Sequence, residues 1–483
     1  MKMKYQINQF IFGVIIIISG ICASSCNKVL EVDSPPYEIS ITDSYKDDGT
    51  ATSAVMGIYA QITGTPNKSP QWGGLTLYSS EWTAELFKTN TNGVDDFLTG
   101  QLNDRTVLVS SMWTQSYATM LAINTAIIQL NAATALTPAI KSELLGECYF
   151  MRAYIYFNLV NLWGSGTALT LSVTLTDNRI AASTPAVDTY NQIIKDLKIA
   201  QNLLPTTDIA ADRGRPNKFA ATALLAKTYL YLGQYSDAAA QAKAVIGSSN
   251  FSLPAPAAVF TKTSKEIIWA LVPAITASTN TITPDGYNFV PAGSITPPTF
   301  QLSPDLYNAF ENGDLRKSSW VLSKTVTRGA ISTTYLIPGK YTVSTTTTPA
   351  AATQSYIVLR LAEQYLVLAE ANYKLNNNAG AVTNLNIIRA RAGLPALSSM
   401  LSAEQVRAAI EQENRIEFFV EQGHRFFDLK RWPGLSNPAL TRADELLPAL
   451  KPSWTTYNDL WPLPYADLTV DANLKQNPGY AIN

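Results

Sequence analysis

The sequence predicts a mostly α-helical fold, with antiparallel helix pairs stacked into a superhelical scaffold and an irregular, loop-rich region carrying short β-strands. Three observations predict it. Apolar residues recur at helical spacing through residues 105–250 and again through 355–421. Two helical stretches, Phe219 to Leu232 and Tyr235 to Ile246, meet at Gly233 with almost no linker. Between the helical regions, residues 250–355 turn rich in Pro, Thr, Ser, Gly and Ala. That stretch is too long for a plain loop in a compact domain, so it must be functional or carry strands of its own.

The N-terminus, residues 1–25, reads as a leader. Lys2 and Lys4 form a basic start, and Phe10 to Ile18 an apolar run. The run falls short of the ~20 residues that a membrane span needs. Ala23-Ser24-Ser25 is a small-residue cleavage site, and Cys26 follows at once. This is the arrangement of a bacterial lipobox, in which the Cys26 thiol is acylated and becomes the new N-terminus. Ala23 stands where Leu is commoner. The competing reading is an ordinary signal peptide with an unrelated Cys. The other cysteines are Cys22, which leaves with the leader, and Cys148, so residues 26–483 hold no internal disulfide. A chain of this size manages without one because its core is large. Removing Lys2 and Lys4 takes the net charge from −1 to −3.

Beyond the tether Asn27 to Pro36, a helix is expected near Ala51 to Ile62. Residues 63–104 read as loop, with Gly, Asn and Thr around Trp72, Tyr78, Trp82, Phe87 and Phe97. Trp113, Tyr117, Met120, Leu121, Asn124, Ile127 and Ile128 then recur at helical spacing. Glu147 to Trp163 is a second helix, stopped by Gly164 and Gly166, and Val187 to Leu204 a third, ended by Pro205. The pair around Gly233 fits the tetratricopeptide pattern: Leu225-Ala226, Tyr229, the Gly233 turn, Tyr235, and Ala238 as the small residue at the helix contact. Glu147 to Gly164 and Leu359 to Asn386 look like degenerate copies. In 250–355, Ile267 to Val272 reads as a strand. Helix is expected again at Ile357 to Lys374, at Ala381 to Ala392 before Gly393, and from a Ser402–Gln405 capping box through Glu421, with Gly423 as the breaker.

Composition excludes several classes of function. At 46% hydrophobic and 15% charged residues, the chain is no disordered protein. Near-neutral charge shows no basic footprint for nucleic acid. No Walker motif or dinucleotide fingerprint occurs, and Gly73-Gly74 reads as a turn. The one histidine, His424, follows a helix stop among Arg and aromatic residues and reads as structural. A single His and one free Cys leave His-rich zinc sites and Cys–His pairs without parts, so no metal, cofactor or catalytic residue is assigned. A glycosidase needs only two carboxylates. The acids in ordered blocks, Glu363, Glu370, Glu413 and Glu417, lie on helices beside Arg360, Arg389 and Arg415, where buried ion pairs explain them more simply.

Several blocks together resemble the SusD/RagB outer-membrane lipoproteins along almost the whole length after the leader. They are Arg389 to Pro395, Glu413-Asn414-Arg415 with Glu417, Glu421 to Trp432, Trp461 to Pro464 and Gln476 to Tyr480. Upstream, Glu147 with Met151-Arg152-Ala153-Tyr154 and Phe157, and Gly214-Arg215-Pro216, also match. Trp163 to Leu171 departs, with Gly-Ser-Gly-Thr-Ala-Leu in place of a Gly-Asp-x-Pro-like turn. The resemblance implies a single SusD-like domain over 26–483 with a tetratricopeptide-containing fold. It implies a lipid anchor on the cell-surface face of the outer membrane and a SusC-like TonB-dependent transporter as partner. It also implies a glycan site built from loops in 63–104 and 250–355.

Within those loops, flat aromatic rings are the residues that pack on sugar C–H faces. The candidates are Trp72, Tyr78 and Trp82 in the first region and Tyr287, Phe289 and Trp320 in the second, with Trp72 and Trp320 expected as exposed indoles in polar surroundings. Trp113, Trp163 and Trp269 read as core, and Trp432 and Trp461 as structural. The expected activity is capture of an oligosaccharide without cleavage. A peptide- or protein-binding scaffold and a glycoside hydrolase are the alternatives.

Overall fold

The computed structural model describes residues 43–89, 96–272, 282–291, 293, 295–344 and 353–482. The leader, the tether and the Cys26 acylation site lie outside the described residues.

The first helix, α1 (Asp48–Ile62), begins where Asp47 and Thr50 cap each other's backbone N–H groups. A kinked segment, Pro70–Gly74, follows. Gly73 turns it with φ 85°, and an added Cβ there would press on Pro284 at 2.5 Å, so only glycine fits. Next come α2 (Leu75–Trp82), β1 (Leu86–Lys88), α3 (Val107–Ala132), α4 (Pro138–Trp163), α5 (Ala186–Leu203), α6 (Lys218–Tyr231) and α7 (Tyr235–Ile246). The middle of the chain supplies β2 (Ile267–Leu271), β3 (Phe300–Leu302), β4 (Val321–Arg328), β5 (Ile331–Pro338) and β6 (Tyr356–Arg360). Helices return as α8 (Leu361–Lys374), α9 (Asn378–Arg391), α10 (Ala403–Glu417), α11 (His424–Arg431), α12 (Arg442–Leu450) and α13 (Tyr465–Val470).

Helices α3 to α9 stack in chain order, each on the next, and α10 packs across α8 and α9. The contact of α7 with α8 matters most, because it closes the scaffold across the whole strand-bearing stretch between them. The expected tetratricopeptide unit is α6–α7. Gly233, at φ 74°, makes its turn. The Gln234 N–H donates to the Tyr229 carbonyl at 2.9 Å. Ala238 is fully buried. Ala238→Leu is expected to overpack this contact and cost ~1–3 kcal/mol in urea unfolding. An unchanged midpoint would mean that the two helices do not need a small residue there.

The strands form three antiparallel pairs, β1 with β3, β2 with β6, and β4 with β5. The β4–β5 hairpin runs in unbroken register from Val321 opposite Pro338 to Arg328 opposite Ile331. The pairing of Leu86 with Leu302 ties the first loop region to the second. Some boundaries differ from expectation: α4 begins at Pro138 rather than Glu147, and α2 is helical within the stretch expected to be loop. The expected helix from Ile357 is a strand up to Arg360, with Leu271 opposite Tyr356. All five residues of that strand are buried, and an apolar run buried on both faces has no period to tell it from a helix. The helix expected to reach Glu421 stops at Glu417. Val420 and Gln422 are left-handed at φ 47° and Gly423 at φ 71°, which no α-helix accommodates. The Ser402–Gln405 capping box is present as expected.

Several of the sequence blocks become ion pairs that fix neighbouring helices. Arg152 on α4 holds Asp196 on α5 through two hydrogen bonds of 2.7 and 2.8 Å. Arg215, just before α6, reaches Glu143 at 2.7 Å and also pairs with the buried Glu147, which accepts from the Tyr59 hydroxyl at 2.7 Å. The main apolar core runs through these layers from Tyr45 to Leu463, and a second, smaller one lies among α8, α9 and α10. Among the described residues, no helix is long and apolar enough to cross a membrane.

Candidate functional site

The two loop regions meet on the scaffold. Asn67 and Asn288 exchange amide hydrogen bonds of 2.7 and 2.9 Å, and Gly73 lies against Pro284. Next to Asn67, exposed Lys68 opens a polar trough of about 480 Å³ along the start of α3. Its other walls include Asp104, Arg105, Ser111, Gln115 and Tyr465. Arg105 lies over the Tyr465 ring with its guanidinium carbon 3.9 Å from the centroid. A guanidinium held over an aromatic face by cation–π attraction offers charged N–H donors at its edge. Serine hydroxyls, an amide, a carboxylate and these cations converge there, which is the donor and acceptor set that sugar hydroxyls require. Next to Asn288, Tyr287 is 58% exposed and flanks the same junction.

Of the six aromatic candidates, Tyr287 alone is exposed. Trp72 and Trp320 are 2% and 1% exposed, and Tyr78, Trp82 and Phe289 are also buried. The expectation of exposed indoles at Trp72 and Trp320 is therefore corrected. Each of these rings anchors its segment to the core instead: Trp72 the kinked stretch before α2, Tyr78 and Trp82 the helix α2 itself, and Phe289 and Trp320 two short helices, Pro284–Phe289 and Leu315–Trp320. Trp72 meets Tyr356 edge-on at 5.4 Å, Tyr78 stacks on Phe97 at 4.7 Å, and Phe289 meets Phe300 edge-on at 6.1 Å. The Trp82 indole donates to the Asn458 carbonyl at 3.3 Å and the Trp320 indole to the Pro256 carbonyl at 2.8 Å. Gly-, Pro- and Thr-rich chain has little apolar surface of its own, so its few large rings supply the burial that holds it down. Tyr465, Arg105 and Lys68 were not singled out from sequence. The visible signal was Tyr465 directly after Trp461-Pro462-Leu463-Pro464, an aromatic held on a rigid turn.

Beneath the junction, Asp285 is buried; burial first, and then the charge of Glu421, hold its carboxyl well above the usual range. The acids weighed as catalytic candidates are engaged by cations. Glu363 pairs with Lys227 at 2.8 Å, Glu370 with Arg431 at 2.5 Å, and Glu413 with Arg316 at 2.5 Å. Glu417 contacts Arg316, Arg360 and Arg391. Burial pushes Glu417 up, but Arg391, Arg360 and Arg316 outweigh it and hold its carboxyl well below the usual range.

His424 is buried and stacks on Phe418, with ring centroids 4.2 Å apart and planes within 12°. Burial, then the charges of Lys227 and Arg360, push its pKa well below 6.5, although Glu363 lies 3.6 Å from its Nε2. The Lys227 partner already neutralises that carboxylate, so desolvation decides the sign. Below about pH 6.5 the unfolded chain takes up a proton at His424 that the folded chain refuses, so this residue alone contributes a loss of about 1.4 kcal/mol per unit as pH falls, opposed in the same window by the raised carboxyls of Asp428 and Asp459. His424→Phe is expected to remove this slope. The check is urea unfolding of both proteins between pH 5 and 8; equal slopes would place a charged imidazole in the fold.

Family models match both halves of the chain. The SusD family model covers residues 276–480, and a SusD-like model described as starch-binding and associating with the outer membrane covers residues 59–230. The chain belongs to the SusD family. It is 27% identical over 506 aligned residues to SusD-like protein P2 of Formosa agariphila, covering 93% of this chain and 96% of that one. It is 26% identical to SusD-like protein P25 of the same organism over 260 residues, a match that spans about half the length of each chain (51% and 49%). A solved laminarin-binding SusD-like protein shares the fold with a TM-score of 0.75 at 23% identity, covering 90% of this chain and 100% of that chain. The blocks quoted from sequence fall in the parts of this SusD-family chain that build the scaffold, whereas the trough is lined mostly outside them.

Proposed function

We propose that this SusD-family chain is a glycan-binding lipoprotein of the outer membrane. Acylated at Cys26 and displayed on the cell surface, it captures neutral oligosaccharide and hands it, uncleaved, to a SusC-like TonB-dependent transporter. The observation that carries the reading is the trough between the first loop region, the start of α3 and Tyr465, which carries hydroxyl, amide and guanidinium groups; the Asn67–Asn288 junction with exposed Tyr287 lies next to its Lys68 end in sequence. The family description as starch-binding and the laminarin-binding neighbour support a glucan-type ligand. Affinity is expected in the micromolar range, about −8 kcal/mol, because cargo has to be released. The test is electrophoresis of the mature protein through gels containing laminarin, starch or xylan, with reducing-end release followed in parallel. Retardation by at least one polysaccharide, without new reducing ends, is expected. Free migration in every gel, together with capture of protein-hydrolysate peptides, would favour a peptide-binding scaffold, and new reducing ends would make the chain a hydrolase.

A further inference from the structure

The polar trough does not end at Tyr465. Thr114 and Ala466 line both it and a second cavity of about 560 Å³, which continues along α3 on the side away from Lys68. The second cavity differs in chemistry. Its walls include Trp113, Tyr117, Leu121, Val173, Val470 and Leu474, and among the described residues no Lys or Arg lines it. Leu121, Val173 and Val470 are exposed around it. Asp467 sits beside the shared Ala466. Burial holds its carboxyl above the usual range, and the Trp113 indole donates to it. A volume of this size lies within the range of about 300–1,000 Å³ that accommodates a bound small molecule. Sugar hydroxyls would find partners there at Thr114, Thr170, Asn178, Asp467 and Asp471, but none along the wall formed by Leu121, Val173 and Val470, where burying them is costly. A charged substituent such as sulfate or carboxylate is disfavoured too, since among the described residues no cation lines the walls whereas Asp467 and Asp471 do.

We infer that the ligand is an amphipathic glycan, whose sugar chain lies in the polar trough while an uncharged apolar substituent, aryl or acyl, fills the adjoining cavity beside α3. This rests on the glycan reading above. The apolar group would bury against Leu121, Val173 and Val470, and Asp467 would accept from a sugar hydroxyl next to the linkage where the two cavities join.

The test uses the mature protein and matched glycosides of maltose, laminaribiose, cellobiose and xylobiose, each as the methyl, p-nitrophenyl and octanoyl derivative, measured by calorimetry. For the disaccharide that binds, one apolar derivative is expected to bind about tenfold more tightly than the methyl glycoside, a difference of about 1.4 kcal/mol. Which derivative gains distinguishes an aryl from an acyl substituent. Ala118 lines the second cavity and is exposed, so Ala118→Trp can fill it without disturbing the core. That variant should abolish the gain and leave the methyl glycoside affinity unchanged. Equal affinity for all derivatives of a bound sugar overturns this inference and leaves the glycan reading standing. A gain that survives Ala118→Trp also overturns it, by placing the apolar group elsewhere. If neither the polysaccharides in the gels nor any glycoside bind, the glycan reading fails and this inference with it.

Discussion

Arg360→Met is expected to destabilise the protein by about 3–5 kcal/mol, the cost typical of removing one partner from a buried ion pair. Arg360 ends β6 where α8 begins, and it is 1% exposed. Its guanidinium reaches Glu266 at 2.8 Å, Glu421 at 2.6 Å and the Glu417 carbonyl at 2.9 Å, and it pairs with the Glu417 carboxylate. These partners come from the strand region, from α10 and from the turn after it, so one side chain ties the loop-rich stretch to the helical scaffold. Met fills much of the same volume but leaves three buried carboxylates to Arg391, Arg316 and Lys340, of which Arg316 already also serves Asp314 and Glu413. Urea unfolding followed by tryptophan fluorescence measures the loss. Lys46→Ala provides the contrast: Lys46 and Asp43 sit 4.0 Å apart with side chains 60% and 58% exposed, and loss of that pair should fall within about 1 kcal/mol of wild type. A similarly small change at Arg360 would show that the network is dispensable.

Trp320→Ala is expected to cost about 3–5 kcal/mol, the range for deleting a large buried aromatic. Phe260 meets the Trp320 ring edge-on at 5.5 Å, and Lys340 lies over it 5.1 Å from a ring centroid. Removing the indole would leave a cavity beside the ion network and orphan the Pro256 carbonyl that it now satisfies. Any weakening of glycan binding in this variant should track unfolding rather than loss of a stacking surface. A wild-type midpoint combined with lost binding would instead return Trp320 to the ligand site.

What was legible in the sequence was local. The α6–α7 pair, the Gly233 turn and the Ser402 capping box each depend on residues within a turn or two of one another, so spacing reveals them. The ion pairs were legible in kind but not in partner: Glu413 and Glu417 were read beside arginines, yet the choice of Arg316, far away on the chain, is a tertiary fact. Exposure of the loop aromatics was misread for the same reason. The residues just before Trp320, Arg316 to Ser319, are polar, whereas its neighbours in space are Phe260, Phe419 and Pro256. The trough was illegible because Lys68, Arg105 and Tyr465 come from three separate stretches that no periodicity connects.

The central claim is that glycan is held at the junction of the two loop regions. Calorimetric titration of Arg105→Ala, Tyr287→Ala and the double variant, with the polysaccharide that retards the wild-type protein, tests it most directly. Both side chains lie at the surface of the fold, so melting temperatures should stay near wild type. The account predicts that each single variant binds about tenfold more weakly and that the double variant shows no measurable heat. Wild-type affinity in the double variant would contradict it and move the site away from this junction.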